Sequence, residues 1–238
     1  MTYFSDIHTH ILWGLDDGAK TEEDSKQLLE SAYADGSRII ALTPHYHPGY
    51  FHNDNRKTEA NFRMLSDYAK EKYPSLKLFL GNEIRYSPSC VEWLKNGACL
   101  TMNGTSNVLV DFSENEERSV IVNAARQLLN AGYRPVIAHV ERYKNLNRNL
   151  AEIHQMKYNG AVIQIDASSL FGDWGFFSMQ RSRKLIERRL VDLVCSDAHN
   201  MIDRKPGLTR AYQYVLRRCG QEYADNTFCH NASSLLEE

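Results

Sequence analysis

A parallel (β/α)7 barrel, one strand short of the usual eight, is the fold this sequence predicts, and three observations lead to it. Seven short apolar stretches are each separated from the next by an amphipathic one. Their hydrophobicity is continuous rather than alternating, as expected of a parallel sheet covered on both faces. Six of the seven run directly into His, Asp or Glu. An open doubly wound sheet binds its ligand at a switch point between a few strands, whereas a barrel mouth collects nearly every strand end.

The first strand runs into Asp6-Ile7-His8-Thr9-His10, followed by the turn Gly14-Leu15-Asp16-Asp17-Gly18. Alternate strand residues share a face, so His8 and His10 aim two imidazoles at one point. Thr21 caps the next helix, Glu22, Glu23 and Asp24 suit its positive end, Leu28, Leu29, Ala32 and Tyr33 form its apolar face, and Gly36 stops it. Arg38 to Thr43 is the second strand, with His45 just past it. A helix near Thr58 to Lys72 leads to the strand Leu76 to Leu80 and then Gly81-Asn82-Glu83. Ser87-Pro88 opens a short helix ending at Gly97. Val108 to Phe112 is a strand carrying Asp111. Ser113 and Glu116 form a capping box for a helix to Ala131, closed by Gly132. Pro135 to His139 is a strand, followed by a helix around Leu150 to Tyr158, the strand Ala161 to Asp166, a helix around Ser178 to Arg189 and the strand Val191 to Ser196. Asp197-Ala198-His199 ends it, and a last long helix occupies about Leu208 to Arg218.

At 238 residues, without a Gly/Ser/Pro-rich linker, the chain reads as a single domain spanning 1–238. Its 28 basic and 30 acidic residues, net −2, are interleaved, which argues against bulk nucleic acid or an anionic membrane as partner. No run approaches the ~20 apolar residues of a membrane span, and Met1 to Asp6 lacks the basic start of a signal peptide, so the expectation is a soluble, cytoplasmic protein. Cys90, Cys99, Cys195, Cys219 and Cys229 form an odd set without a C-x-x-C pair. They read as buried small hydrophobes rather than a disulfide framework, a thiolate site or a nucleophile.

The candidate ligands are His8, His10, Asp17, His45, Glu83, Asp111, His139, Asp197 and His199. Nine mixed nitrogen and oxygen donors exceed the needs of one four- to six-coordinate ion, so two or three divalent ions are expected, with a carboxylate bridging at least two. The lack of thiolates favours Mn, Fe or Zn, Mn first among them. Such clusters lower the pKa of water and clamp the attacking and leaving oxygens of an in-line displacement at phosphorus, which points to phosphoester hydrolysis. A lone strand-end histidine is ordinarily a satisfied polar residue, but coincidence at six strand ends is hard to sustain. His47, His52, His154 and His230 lack this placement and read as surface or loop residues. The aromatic loop His45 to Asn53 offers Tyr46, Tyr50 or Phe51 to pack on a phenyl ring; Leu170 to Phe177 is a candidate second rim, and Trp13 lies between two ligand groups.

The motifs D-I-H-T-H at 6 to 10, D-D-G-A-K-T at 16 to 21, the histidine at 45, G-N-E at 81 to 83, A-H-V-E-R-Y at 138 to 143 and S-D-A-H-N at 196 to 200 resemble the polymerase-and-histidinol-phosphatase (PHP) superfamily. Within it the chain is similar to the bacterial PHP-type protein tyrosine phosphatases of capsule and exopolysaccharide loci, over nearly its whole length. The resemblance implies a distorted PHP-type barrel and a trinuclear site: His8, His10 and Asp197 with bridging Glu83 on one ion; Glu83, Asp111 and His139 on a second; Asp17, His45 and His199 on a third. It implies that Arg142 and Arg204 bind the phosphate, consistent with the need for fixed guanidinium donors to orient a phosphoryl group. It also implies a phosphotyrosine protein substrate, the tyrosine-rich tail of a bacterial tyrosine kinase. One departure stands out: Asp111 occupies a position where these phosphatases carry glutamate, and a shorter carboxylate reaches about 1.5 Å less. The competing reading of the same cluster is a small-molecule phosphoesterase, histidinol phosphate above all. An exonuclease lacks the basic, aromatic-interleaved groove it needs, and an amidohydrolase lacks a strand-end lysine where Asp111 stands.

Overall fold

The structure is a computed structural model that describes residues 3–51 and 54–237; His52 and Asn53, the end of the aromatic loop, lie outside them. Seven strand positions are present, two of them broken. β1 (Phe4–Asp6) is followed by α1 (Glu22–Asp35), β2 (Ser37–Leu42) and its continuation β3 (His45–Tyr46). Next come α2 (Asn55–Lys72), β4 (Lys77–Leu80) and its continuation β5 (Glu83–Arg85), then α3 (Cys90–Lys95) and β6 (Asn107–Asp111). α4 (Arg118–Asn130), β7 (Arg134–Ile137), α5 (Leu150–Tyr158), β8 (Val162–Asp166), α6 (Phe176–Glu187) and β9 (Leu193–Cys195) complete the alternation. α7 (Thr209–Cys219), α8 (Gln221–Asp225) and α9 (Asn231–Glu237) follow.

Every pairing is parallel, in the orders β1-β2-β4 and β3-β5-β6-β7-β8-β9. The breaks after Leu42 and Leu80 let His45 and Glu83 stand opposite each other in register. Beyond β1 and β9 the first and last strand ends meet: Thr9 bridges Ala198, Asp197 N–H donates to His8 O at 3.0 Å, and His10 N–H donates to Ala198 O at 2.8 Å.

Alternation along the strands separates two apolar layers. Ile7, Ile39, Leu109, Val136, Val162 and Leu193 share one cluster with Leu235 and Leu236 of α9, whereas Val108, Val110, Ile137, Ile163 and Val194 belong to the cluster packed under the helices. α9 therefore covers the end of the strands opposite the ligand residues, tied there by Asn107 Nδ2–H to Leu235 O at 2.8 Å.

Local signals held where nothing competed with them. Thr21 and Asp24 make the reciprocal capping bonds of α1, and Gly36 ends it at φ 112°. Two helix starts differ from expectation. Ser113 and Glu116 do not cap α4; they form a turn, Glu116 N–H to Ser113 O at 2.9 Å, that borders the cavity, and α4 begins at Arg118. Ser87-Pro88 likewise forms a turn before α3, which starts at Cys90. α2 begins earlier than its apolar periodicity suggests, because Asp54 accepts from Arg56 N–H as its cap. α7 matches the last helix expected, about Leu208 to Arg218, and α8 and α9 follow it without a counterpart in the sequence reading.

Candidate metal centre

Thr9 sets the geometry at the end of β1. Its hydroxyl donates to Ala41 O at 2.8 Å and its N–H to Thr43 Oγ1 at 3.0 Å, so it faces the neighbouring strand while His8 and His10 face the interior. The following turn packs hard against them. A Cβ on Gly18 would lie 2.1 Å from His10 O, so only glycine fits there. That close approach aims Asp16 Oδ2 at His10 Nδ1, at 2.7 Å. His139 (φ 30°) and Asp197 (φ 52°) both take left-handed backbone that non-glycine residues rarely adopt, the kind of local strain that collects at functional sites.

Eight of the nine predicted ligands come together in three overlapping groups, each with donor atoms within 4.8 Å of one another: His10, Asp17, His45 and His199; His8, His10 and Asp197; and His8, Glu83 and His139. Glu83 is the hub. Its carboxylate lies 3.4 Å from His8, 3.2 Å from His10, 2.8 Å from His45 and 2.9 Å from His139. Asp111 is the exception: its Oδ2 pairs with Arg85 at 3.1 Å, its Oδ1 is buried without a hydrogen-bond partner, and it belongs to none of the groups.

The donor set fits divalent cations. His8 Nδ1 faces Gln164 Oε1 at 3.3 Å, His10 Nδ1 faces Asp16 Oδ2 at 2.7 Å, and His199 Nδ1 faces Asp197 O at 2.9 Å. Each acceptor fixes the ring proton on Nδ1 and leaves Nε2 with a lone pair. Those Nε2 lone pairs point at carboxylate oxygens 3.2 to 3.4 Å away, and those of His8 and His10 face each other at 3.4 Å. Acceptor against acceptor in a buried site is repulsive unless protons or cations lie between.

Titration follows from the same geometry. Against the cost of burial, Glu83 and Asp197 hold His8 up at about 9. Burial would raise Glu83, but His8 and His45 hold it well below its ordinary range. Asp111 goes the other way, pushed to about 7 by burial and the charge on Glu83 despite Arg85.

Above the cluster opens a cavity of about 650 Å³ whose walls include Arg85, Asp111, His139, Arg142 and Arg204. Arg142 donates through Nη2 to Asp166 Oδ2 and to Asp197 Oδ2, and its guanidinium lies 3.5 Å from the Trp174 ring centroid. Arg204 Nη2 reaches Asp197 Oδ2 at 2.7 Å. Both arginines keep a buried Nε without an acceptor among the described residues. Two fixed guanidiniums over a carboxylate-and-imidazole cluster have the donor chemistry that a tetrahedral oxyanion takes.

Of the aromatic candidates, Phe51 stacks on His45 with rings 2° from parallel, and Tyr50, 75% exposed, packs edge-on to Phe51. Tyr46 instead turns away, buried against Trp93. Trp13 packs into the apolar cluster beneath α1 and α2, and its carbonyl accepts from Asn61. Trp174, within the second aromatic stretch, lies against the Arg142 guanidinium rather than on the wall of this cavity.

Sequence reasoning missed several contributors. Asp16 was passed over for its neighbour Asp17, although both stand in the same D-D-G turn. Asp166 ends the sixth apolar stretch and is the one strand-end acid outside the candidate ligand set. Gln164 carries no pattern of its own, and Arg85 follows Glu83 with no motif around it. His47, read as a loop residue, lines the cavity.

A family model for capsular polysaccharide synthesis, CpsB/CapC, matches residues 4–237. The tyrosine-protein phosphatase CpsB of Streptococcus agalactiae serotype III is 35% identical over 237 residues, 98% of each chain. The tyrosine-protein phosphatase YwqE of Bacillus subtilis is 32% identical over 218 residues, 91% of this chain and 85% of that one. A solved chain from the crystal structures of YwqE from Bacillus subtilis and CpsB from Streptococcus pneumoniae, metal-dependent tyrosine phosphatases, superposes with a TM-score of 0.87 at 31% identity. The match covers 98% of this chain and 94% of that one.

Proposed function

The chain belongs to the CpsB/CapC family of capsular polysaccharide synthesis, and on that premise we propose that it is a metal-dependent protein tyrosine phosphatase whose single catalytic domain spans 1–238. The observation that carries the reading is the hub: one buried carboxylate, Glu83, within 3.4 Å of four imidazoles, beneath two arginines. Lone pairs set against carboxylates favour divalent cations, and Mn is the ion we infer, with Fe and Zn as alternatives.

His8, His10, Asp17, His45, Glu83, His139, Asp197 and His199 would hold the ions, with Asp111 serving the second position directly or through water. When bound, the ions supply an activated water and neutralise charge on the phosphoryl oxygens. Arg142 and Arg204 bind and orient the phosphoryl group, and Asp166 and Asp197 hold Arg142 in place. Phe51, stacked on the lining residue His45, and Trp174, against the guanidinium of Arg142, are the rings beside the mouth that would meet a phenyl group. A phosphoryl group at the bottom of such a mouth is reached by the long arm of phosphotyrosine and not by the short one of phosphoserine.

We take the physiological substrate to be the phosphotyrosine-bearing tail of a bacterial tyrosine kinase in polysaccharide export, met in the cytoplasm. No helix among the described residues is long and apolar enough to cross a membrane. Matched phosphotyrosine and phosphoserine peptides, with histidinol phosphate alongside, test the assignment: kcat/KM should be highest on phosphotyrosine. Equal rates on the two peptides, or preferred turnover of histidinol phosphate, would overturn it in favour of a small-molecule phosphoesterase.

A further inference from the structure

A second cavity, of about 500 Å³, adjoins the first, and Glu114 and Arg142 line both. One wall carries Lys144, Arg148 and Arg181; another presents Phe176 and Phe177, 59% and 69% exposed and packed edge to face. In a chain of net charge −2 with interleaved charges, four cations against one carboxylate is a local concentration.

The carboxylate is already engaged, since Lys144 Nζ lies 3.4 Å from Glu114. Arg181 donates through Nη1 to Glu141 O at 3.3 Å, a neutral acceptor. The Arg148 side chain, exposed, makes no hydrogen bond or ion pair among the described residues. It stands close enough to Arg181 that burial and the Arg148 charge together draw Arg181 below its ordinary value, even against Glu114. Two neighbouring guanidiniums, neither in an ion pair among the described residues, beside two exposed aromatic rings, are complementary to an anionic group on an extended chain leaving the catalytic mouth.

We propose that this cavity is an accessory site for the substrate polypeptide, in which Arg148 and Arg181 bind an anionic side chain flanking the phosphotyrosine held below Arg142. The anion is a carboxylate or the phosphate of a second phosphotyrosine; in the second case Phe176 and Phe177 also receive its ring. The site rests on the phosphatase reading and adds selection by flanking sequence. It makes a substrate with several phosphotyrosines bind through one while another is cleaved.

The test compares kcat/KM on phosphotyrosine peptides with neutral, glutamate or phosphotyrosine flanks, placed N-terminal or C-terminal to the scissile residue, in wild type, Arg148→Glu and Arg181→Ala. Wild type should favour anionic flanks on one side by about tenfold through KM, and Arg148→Glu, an exposed position, should bring that ratio to one or below. A preference for both flank types assigns the site to charge, and for the phosphotyrosine flank alone to charge with ring packing; either supports it. Turnover of the neutral-flank peptide without any preference, or a preference that survives both substitutions, overturns the accessory site while leaving the phosphatase intact. No turnover of the neutral-flank peptide overturns the phosphatase reading itself.

Discussion

Asp16 Oδ2 lies 2.7 Å from His10 Nδ1 and 2.8 Å from the backbone nitrogen of His45, so a single carboxylate oxygen fixes two candidate ligands on neighbouring strands. Asp16→Asn keeps the shape but presents a weaker acceptor, or a donor, to His10. Loss of such an orienting partner costs 10- to 100-fold in metal affinity. Metal titration of the apo-protein should show a drop of about that size with the fold unchanged; affinity equal to wild type would show that the turn does not position the ligands.

Arg142 has three partners that lysine cannot satisfy together: Asp166, Asp197 and the face of Trp174. Arg142→Lys should therefore behave much as Arg142→Ala, with kcat/KM on aryl phosphate reduced by about 10²-fold or more and bound metal retained. Wild-type kinetics in the lysine variant would mean that a point charge suffices there. Arg204, held chiefly by Asp197, should lose less on the same change.

Asp111 can serve an ion through Oδ1, which has no hydrogen-bond partner among the described residues, while Oδ2 stays with Arg85. Asp111→Ala should lower bound metal by about one ion and kcat by at least ~10²-fold. Asp111→Glu, which reaches about 1.5 Å further, should hold that ion more tightly. Elemental analysis of the three proteins decides it, and an alanine variant with normal metal content would remove Asp111 from the site.

The metal-free cluster stores protons, and that has a sign. His8 is raised to about 9 from an ordinary value near 6.5, so its stabilising contribution is complete below pH 6.5 and is lost as pH rises through 9. Ions replace those protons and bind better as they leave. Between pH 6.5 and 9 the Tm of the apo-protein should fall while the gap between loaded and apo-protein widens. A gap that narrows with rising pH would count against a buried protonated cluster.

Strong chelation should abolish activity and added Mn²⁺ restore it, while thiol alkylation should have little effect. Four of the five cysteines are buried, and burial pushes the thiols of Cys90, Cys99 and Cys229 up to about 12. Inactivation on replacing any single cysteine by serine, in a folded protein, would contradict metal-assisted hydrolysis.

The strand order and most of the ligand positions were legible because both follow from short-range rules, continuous apolar runs for buried parallel strands and a polar residue where each run stops. His8 and His10 announce themselves by period two. What escaped was set by tertiary contact. Ser113 and Glu116 match a capping pattern, yet the chain uses that turn to border the cavity. Asp16 and Asp17 are equivalent on paper; only the contact of Gly18 with His10 decides which faces the imidazole and which the opening. Arg85 finds Asp111 across the β5–β6 pairing, where the two stand in register, and no spacing along the chain reveals that.

The seam between the first and last strands joins Asp6 to Ser196, 190 positions apart in sequence. His8 and His10 stand on one side of it, and Asp197 and His199 on the other. During synthesis the groups that straddle this seam are incomplete until Asp197 and His199 emerge, so those ion positions would fill late, whereas His8, Glu83 and His139 are together earlier in the chain. Once loaded, ions coordinated from both sides would fasten the seam and remove the entropy of an otherwise very long loop. Exchange-labelling should find the backbone amides of Asp197 and His10 among the first to open when the metal is withdrawn.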